Sequence, residues 1–215
     1  MTVKTIIFDF DGTLADTLDA IVRITNQLAG EFGYQKSSQE DVERLRSLSS
    51  WQIIKNSGIP PIKIPFLLHA VKAELNNQIQ SLSPATPGIF LILKNLKELG
   101  YQLGIVTSNS TENVMGFINK HGWSELFDFI YSGATLFGKT TVIKKVLMAR
   151  KLKAEETIYV GDETRDIEAA KKIPVIAIAV SWGFNSRKVL AQHQPDFLID
   201  RPNQIIEAIA SLQKS

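Results

Sequence analysis

The sequence predicts an α/β protein built around a mostly parallel sheet with crossover helices. Short apolar runs alternate with helical patterns along most of the 215 residues, which is the element order of a parallel sheet. The runs are nearly continuously apolar, as expected for strands that are covered on both faces. Residues 16–84 contain helical patterns and no convincing strand. Because that interval is far longer than a strand-to-helix loop needs, it predicts an inserted all-helical unit.

The order of the elements follows from the same patterns. Six strands are predicted, at Val3–Phe8, Gln102–Val106, Phe127–Tyr131, Thr157–Val160, Val175–Val180 and Asp196–Ile199. Helices between the later strands are predicted at Ile89–Leu99, Glu112–His121, Thr140–Arg150 and Asp166–Lys172. The inserted unit has helical patterns at Leu18–Phe32, Gln39–Leu48, Ser50–Asn56 and Ile64–Ile79. Gly88 marks the entry to the helix that follows the insertion, and Gly100 is a plausible stop for it.

Composition narrows the class of protein. The 24 basic and 22 acidic residues give a formal charge of +2 without the basic block that a nucleic-acid surface needs. The absence of cysteine excludes a disulfide framework, a thiolate metal site and a cysteine nucleophile. The N-terminal apolar run is too short for a signal peptide, and no stretch approaches the ~18 apolar residues of a membrane span. We therefore expect a soluble cytoplasmic protein without nucleic-acid or membrane partners.

Two acids follow the first predicted strand directly. Asp9 and Asp11 lie two residues apart, and the carboxyl ends of strands in an α/β sheet border the ligand crevice. One carboxylate can attack phosphorus to form an aspartyl-phosphate, and a second can protonate the leaving oxygen and later deprotonate water. Gly12 would let the backbone turn sharply beneath a phosphate. A calcium loop is excluded because its twelfth position would be Ala20 instead of glutamate, which leaves a simple turn as the alternative.

The segment DFDGTLADT, residues 9–17, resembles the first signature of the haloacid-dehalogenase-like hydrolases, and most closely their phosphoglycolate-phosphatase-like branch. The resemblance implies a Rossmann-like three-layer core formed by residues 1–15 and 85–215, with residues 16–84 as a helical cap. It implies a Mg²⁺-dependent phosphoric monoester hydrolase that acts on a small ester, either phosphoglycolate-like or a sugar phosphate. Asp9 would be the nucleophile and Asp11 the acid and base, with Gly12 and Thr13 contributing to substrate binding.

Two further signatures of this family concern the phosphoryl group. In LGIVTSNS, Thr107 would bind the phosphoryl oxygens as a catalytic residue, and Ser108 and Asn109 would contact the substrate. A helix N-cap is the alternative interpretation of these residues. In FGKTTVIKKVL, Lys139 would offset the charge of nucleophile and phosphate. A solvated surface lysine is the alternative there.

The last signature is an acidic pair in TIYVGDETRD. The family pattern makes Asp162 a metal ligand and Asp166 its support. Mg²⁺ binds few carboxylates and retains water, so Asp9, Asp162 and the Asp11 carbonyl would form the site with Asp166 behind them. Glu163 is an additional acid that is either a peripheral ligand or exposed.

The cap is expected to select the substrate. Arg46 is the residue predicted to contact it, within a loop that also has Arg44, Ser47, Ser49 and Trp51. Such a basic, hydroxyl-rich loop would suit a small anionic leaving group. Alternatively, the two arginines are solvated and Trp51 belongs to the core. Trp182 and Phe184 either border the cleft or pack at its rim. The expected partner is a small-molecule phosphate ester, and the protein is expected to be a monomer or homodimer.

The sequence departs from the family pattern at two places. Thr140 follows Lys139 where many relatives have proline, and Lys172-Ile173-Pro174 replaces an Ala-Gly helix end.

A rival motif includes the same lysine, because Gly133–Thr140 also matches the P-loop pattern G-x-x-x-x-G-K-[ST], which would indicate nucleotide binding. That interpretation gives no role to DFDGTLADT, VTSNS or Asp166. The same fold could also carry a phosphomutase or a non-catalytic scaffold, because fold does not dictate function.

Overall fold

The protein is built on a single parallel sheet. The computed structural model describes residues 2–133 and 138–213. Its strands are β1 (Thr5–Phe8), β2 (Gln102–Val106), β3 (Phe129–Tyr131), β4 (Thr157–Gly161), β5 (Ile176–Val180) and β6 (Phe197–Ile199). They form one sheet in the order β3-β2-β1-β4-β5-β6, and every neighbouring pair is parallel. The predicted α/β class with a parallel sheet is thus confirmed.

Helices make the connections between these strands. They are α1 (Leu18–Phe32), α2 (Gln39–Leu45), α3 (Ser50–Asn56), α4 (Ile64–Gln78), α5 (Ile89–Glu98), α6 (Thr111–Lys120), α7 (Lys139–Arg150), α8 (Thr164–Lys171), α9 (Arg187–Gln192) and α10 (Gln204–Gln213). Short 3₁₀ turns lie at Pro61–Lys63, Ile79–Ser81, Ser124–Leu126 and Ala154–Glu156. Within the described ranges, no helix combines the length and apolar composition that crossing a membrane requires.

The central strand β1 explains why the predicted strands are continuously apolar. Ile6 and Phe8 are fully buried in the cluster on one face of the sheet, and Ile7 is fully buried in the cluster on the other. Strand β1 lies between β2 and β4, so the carboxyl ends of these three strands meet at one edge of the sheet. The residues that follow them are therefore brought together.

Four helices, α1 to α4, occupy the interval between residues 16 and 84, as the sequence predicts. The chain enters and leaves this interval side by side, because the Asp16 N–H donates to the Ser83 carbonyl (2.9 Å) and the Ala85 N–H donates to the Leu14 carbonyl (2.9 Å). Helices α1 and α4 pack against each other within it. The division into a core and a cap at residues 16 and 84 stays a prediction, and these two hydrogen bonds mark where the boundary would lie.

The structure corrects one helix end clearly. Helix α2 ends at Leu45 instead of Leu48. The Arg46 carbonyl accepts hydrogen bonds from the Ser186 N–H (2.8 Å) and from Asn185 Nδ2 (3.2 Å), which draws this turn onto the loop after β5. A long-range contact of this kind has no signal in local periodicity. Most other predicted ends differ from the observed ones by one or two residues, and α8 begins at Thr164 instead of Asp166.

Two helices at the C-terminal end were not predicted. Helix α9 has six residues, which is too short for a clear periodic pattern. Helix α10 buries Ile205, Ala208 and Ile209, which are spaced as one face of a helix should be. That spacing was available in the sequence and could have identified α10.

Candidate active site

Asp9 lies at the centre of the candidate site. It follows β1 directly, and its N–H donates to the Val160 carbonyl (2.9 Å), which extends the pairing with β4 by one residue. The Asp9 side chain is buried, and its Oδ2 lies 2.7 Å from Nζ of Lys139. The candidate nucleophile is therefore fixed by its position in the sheet and by an ion pair.

Lys139 is the first residue of α7 and joins two acids. Its Nζ donates to Asp9 and also to Oδ1 of Asp166, and all three side chains are buried. Burial by itself would lower the pKa of Lys139, but Asp166 and Asp9 together raise it well above its ordinary value. The ammonium therefore stays protonated, and its position is compatible with the threonine that follows it in place of proline.

Three buried carboxylates form a cluster that could hold a cation. Among the described residues, Asp9, Asp162 and Asp166 each place one oxygen within 4.8 Å of the others. Burial raises the pKa of Asp162 well above its ordinary value, and the negative charges of Glu163 and Asp9 add to this effect. Lys139 compensates only part of this charge. An all-oxygen donor set with excess negative charge fits a hard divalent cation such as Mg²⁺.

Asp162 is held in place from two sides. Its Oδ1 accepts from Oγ1 of Thr13 (2.6 Å), and its Oδ2 accepts from the N–H of Phe184 (2.6 Å). The predicted substrate contact Thr13 thus donates its hydroxyl to a carboxylate. Gly12 has φ of +76°, and a Cβ at this position would collide with the Asp162 carboxylate and the Phe184 ring. Its N–H donates to the Ala15 carbonyl (2.9 Å), so Gly12 shapes the turn.

Asp11 has surroundings different from those of Asp9. Its carboxylate is not part of the cluster around Asp162, and it accepts from Nδ2 of Asn109 (3.1 Å to Oδ1). Removal from water, and then the charge of Asp9, raise the pKa of Asp11 to about 7. A carboxyl that titrates near neutral pH can donate a proton and take one back, and the acid–base role of Asp11 stays a prediction.

Asn109 is oriented by a short network of amides. Its Oδ1 accepts from the Ser110 N–H (2.8 Å) and from Nδ2 of Asn113 in α6 (2.6 Å), so its Nδ2 faces Asp11. Asn113 Nδ2 also donates to Oδ1 of Asn76 in α4. The cap of α6 is Ser110, whose hydroxyl accepts from the Asn113 N–H (3.2 Å), so the predicted alternative of an N-cap applies to the next residue along.

Thr107 and Ser108 lie at the edge of the sheet predicted for them. Thr107 is fully buried at the end of β2, and its Oγ1 accepts from the Asn109 N–H (2.9 Å). Ser108 is partly exposed and lines a cavity next to Asp11. Both thus follow the strand beside Asp9, as the sequence predicts.

This cavity separates the helices of the insertion from the carboxyl edge of the sheet. Its volume is about 340 Å³, and its wall is mostly apolar, with Ile21, Val22, Leu45 and Ile53 among its residues. Asp11 and Ser108 line it from the core side. A ligand in this cavity would have its reacting end near Asp11 and its remaining atoms against apolar side chains.

The predicted substrate contact Arg46 lines the cavity but already donates to protein groups. Its Nη2 and Nε donate to the carbonyls of Gly183 (3.0 Å) and Phe184 (3.3 Å), and its Nη1 pairs with Glu43 (3.3 Å). Arg46 therefore connects the end of α2 to the loop after β5 through hydrogen bonds. Arg44 is exposed and pairs with Asp41 (2.7 Å), as its solvated alternative predicts.

The aromatic residues near the cavity fall into different positions. Trp51 is 54% exposed beside Lys55, so the alternative that placed it in the core is wrong. Phe184 lines the cavity, while Trp182 donates from Nε1 to the Thr13 carbonyl (3.2 Å). Sequence reasoning missed Arg165, which lines the cavity close to Asp11, and it also missed Asn113. A polar residue at a buried position of a helix is the only signal that could have identified Asn113.

The P-loop alternative rests partly on residues 134–137, which lie outside the described residues. The described part, Lys139, is bound to Asp9 and Asp166. The lysine is therefore already engaged by the acid cluster.

Comparison with known proteins places the chain in a family. Residues 6–180 match the model of the haloacid dehalogenase-like hydrolases, so the chain belongs to this family of enzymes. It is 35% identical to the phosphoglycolate phosphatase of Synechococcus elongatus over 99% of this chain and the whole of that one. It is 24% identical to the pyrophosphatase PpaX of Bacillus cereus over the full length of both. The family match and the relative at 35% identity confirm the predicted resemblance and the predicted class of phosphoric monoester hydrolase.

Solved structures agree with the fold. A haloacid dehalogenase-like hydrolase of Streptococcus pneumoniae superposes with a TM-score of 0.81 at 22% identity, covering 95% of this chain and 97% of that one. A predicted phosphatase of Clostridium acetobutylicum superposes with a TM-score of 0.84 at 19% identity, covering 98% of this chain and all of that one. At these identities the likeness concerns the fold, and it confirms the predicted Rossmann-like core.

Proposed function

We propose that this protein is a Mg²⁺-dependent phosphatase that hydrolyses a small phosphate monoester through an aspartyl-phosphate on Asp9. The observation that carries the proposal is the arrangement around Asp9, which lies 2.7 Å from a buried lysine and two residues before an acid of raised pKa. This arrangement supports the assignment of Asp9 as the nucleophile, Lys139 as the cation for the transferred group and Asp11 as the proton donor. The names of the relatives support phosphate chemistry at this point.

In the first step, an oxygen of Asp9 attacks phosphorus and the bond from phosphorus to the ester oxygen breaks. Protonated Asp11 gives its proton to that oxygen, so the alcohol leaves neutral. Lys139 Nζ is close enough to Asp9 to stabilise the charge that develops on the phosphoryl oxygens. The products of this step are the alcohol and an aspartyl-phosphate.

In the second step, ionised Asp11 takes a proton from water, and the resulting hydroxide attacks the phosphorus of the aspartyl-phosphate. The bond to Asp9 breaks, which restores its carboxylate and releases inorganic phosphate. Asn109 holds Asp11 through its Nδ2 during both proton transfers. Thr107 would donate to the phosphoryl oxygens from the end of β2.

The metal would be held by Asp9, Asp162 and the Asp11 carbonyl, with Asp166 in support. The three clustered carboxylates with one lysine among them support this assignment. When bound, Mg²⁺ supplies positive charge to the phosphoryl oxygens and lowers the repulsion between them and Asp9.

For the substrate, we favour an ester of a small hydroxy acid, such as 2-phosphoglycolate, over a sugar phosphate. The relative at 35% identity is named for phosphoglycolate. A sugar would bring several hydroxyl groups against a mostly apolar wall, where unpaired hydroxyls are costly. The enzyme would act in the cytoplasm on a free small molecule.

Purified protein should release phosphate from an aryl phosphate and from 2-phosphoglycolate when Mg²⁺ is present, and EDTA should abolish both activities. The Asp9→Asn variant should lose both activities, while the exposed control Arg44→Gln should retain them. Unchanged turnover in Asp9→Asn would show that the nucleophile is assigned to the wrong residue. Conversion of a hexose phosphate without release of phosphate would indicate a mutase.

A further inference from the structure

Arg165 has an unusual position among the cations of the site. It is the second residue of α8 and lines the cavity together with Asp11 and Ser108. Its Nε donates to Oε1 of Glu163 (2.9 Å), and its Nη2 donates to the same oxygen. One edge of the guanidinium is therefore fixed by a carboxylate from its own loop.

The opposite end of the same side chain has no acceptor. Nη1 of Arg165 is buried and makes no hydrogen bond to any described residue. Among the described residues, the only other buried side-chain polar atom without a partner is Oγ1 of Thr17. Buried donors are almost always paired, and an unpaired charged donor is more costly than an unpaired neutral one. Because Arg165 lines the cavity, its unpaired guanidinium nitrogen indicates an acceptor that a ligand brings.

The other cations near the cavity have no such unused nitrogen. Each nitrogen of the Arg46 guanidinium donates to Glu43, Gly183 or Phe184. Lys139 donates to both Asp9 and Asp166. Of these three cations, Arg165 is the one that has a nitrogen without an acceptor among the described residues.

Two polar side chains that line the cavity already donate to backbone carbonyls. Thr25 donates its hydroxyl to the carbonyls of Ile21 (2.9 Å) and Val22 (3.0 Å). Nδ2 of Asn185 donates to the carbonyls of Arg46 and Leu48. In a mostly apolar wall, the unpaired nitrogen of Arg165 is thus a site for an acidic group of a ligand.

We propose that Nη1 of Arg165 binds the carboxylate of the leaving group and thereby selects phosphate esters of small hydroxy acids. The proposal rests on the function proposed above, because the phosphoryl group is taken to lie over Asp9. A carboxylate in this cavity would be repelled by Glu163, which also lines it. Arg165 offsets that repulsion and adds a charge-assisted hydrogen bond. It is a specificity-determining residue, and the transfer of the phosphoryl group itself does not require it.

Two esters with the same two-carbon chain distinguish binding of the leaving group's carboxylate from an effect on phosphate esters in general. Ethyl phosphate lacks the carboxylate of 2-phosphoglycolate and keeps the same phosphoryl group. We expect wild-type enzyme to have a higher kcat/KM for 2-phosphoglycolate. Arg165→Gln should lower that preference by about 10- to 100-fold, mainly through KM, since a hydrogen bond to a charged group is lost. Arg165→Lys should retain part of the preference, and the control Arg44→Gln should retain all of it.

A binding measurement tests the same idea without turnover. Calorimetric titration of both esters into Mg²⁺-loaded Asp9→Asn protein should give a tighter Kd for 2-phosphoglycolate. Adding Arg165→Gln to this protein should weaken that Kd by about tenfold or more while leaving the Kd for ethyl phosphate unchanged. Equal loss for both esters, or no loss for either, overturns the proposal. If Asp9→Asn still turns over an aryl phosphate, the proposed function fails instead, and the two failures are distinguishable.

Discussion

The core side and the cap side of the cavity are built from different chemistry. On the core side, Asp9, Asp162, Asp166 and Lys139 are buried and each is paired with another group of the site. On the cap side, formed by the insertion, the wall is mostly apolar, and Thr25 donates its hydroxyl to backbone carbonyls. The comparison suggests a division of labour in which the core side determines the reaction and the cap side, with Arg165 at the border, determines the substrate.

Hydrogen bonds at defined atoms join the two sides. The Arg46 guanidinium and carbonyl both bind the loop at residues 183–186, which also supplies the N–H that holds Asp162. Asn76 of the insertion contacts Asn113, which orients the partner of Asp11. Changes on the cap side can therefore reach the core side through defined atoms.

The largest effect is expected for the nucleophile itself. Asp9→Asn should lower kcat by at least about 10³-fold on every phosphate ester, because the aspartyl-phosphate can no longer form. Steady-state phosphate release measures this loss, and circular dichroism shows whether the variant is folded. A loss confined to one ester would break the proposed division of labour.

Lys139→Met and Asp162→Asn should each lower kcat by about 10²- to 10³-fold, since each removes charge that acts on the transferred group or on its metal. For Asp162→Asn, the Mg²⁺ concentration that gives half-maximal activity should also rise. A Mg²⁺ titration of activity for both variants distinguishes the two residues. Equal Mg²⁺ dependence of Asp162→Asn and wild type would remove Asp162 from the metal site.

Asn113→Ala should lower kcat by about tenfold and leave KM nearly unchanged, because Asn109 loses the donor that orients it toward Asp11. The matched control is Asn119→Ala, at an exposed asparagine of the same helix. Steady-state kinetics of both variants give the comparison. If Asn113→Ala raises KM and leaves kcat intact, the amide network serves the cap side instead.

Arg46→Met should raise KM by about tenfold or less for all esters and leave kcat nearly intact. The substitution keeps much of the apolar stem and removes the hydrogen bonds to the loop after β5, so the cavity wall is held less firmly. Steady-state kinetics on 2-phosphoglycolate and on ethyl phosphate measure this change in KM. A larger effect on 2-phosphoglycolate would give Arg46 the selective role assigned to Arg165.

The smallest effect concerns the stability of the metal-free protein. Burial and the charge of Asp9 raise the pKa of Asp11 from 3.8 to about 7, and burial raises that of Asp166 to about 6. These groups bind protons more strongly in the folded chain, so the free energy of unfolding should decrease as pH rises from about 4 through about 7. Thermal unfolding in EDTA across this pH range measures the decrease in stability. The decrease should be smaller when Mg²⁺ is added. A Tm that rises with pH would contradict it.

Sequence reasoning was most successful where chemistry follows strand ends. Asp9, Thr107 and Asp162 each follow a strand directly, and adjacent parallel strands bring such positions together. Their positions at strand ends could be predicted from the sequence, while their convergence followed from the family resemblance and from the place of β1 between β2 and β4. The apolar character of the strands likewise followed from their burial on both faces.

The cap side could not be predicted in the same way. Arg46 and Trp51 lie in the same short segment, yet one binds the core loop and the other is exposed. Nothing in the local sequence distinguishes them, because the difference depends on where the loop after β5 lies. Arg165 was missed for a similar reason, since its unpaired nitrogen is visible only once Glu163 is placed beside it.

The most direct test of the central claim is to trap the phosphoenzyme. The Asp11→Asn variant, mixed with Mg²⁺ and an aryl phosphate whose leaving group needs no proton donor, should form the aspartyl-phosphate and lack the base that hydrolyses it. After a rapid acid quench and peptide mass spectrometry, we expect one phosphoryl group on the peptide that contains Asp9. Phosphate on another residue, or turnover of the ester with no phosphorylated peptide at any time, would contradict the claim.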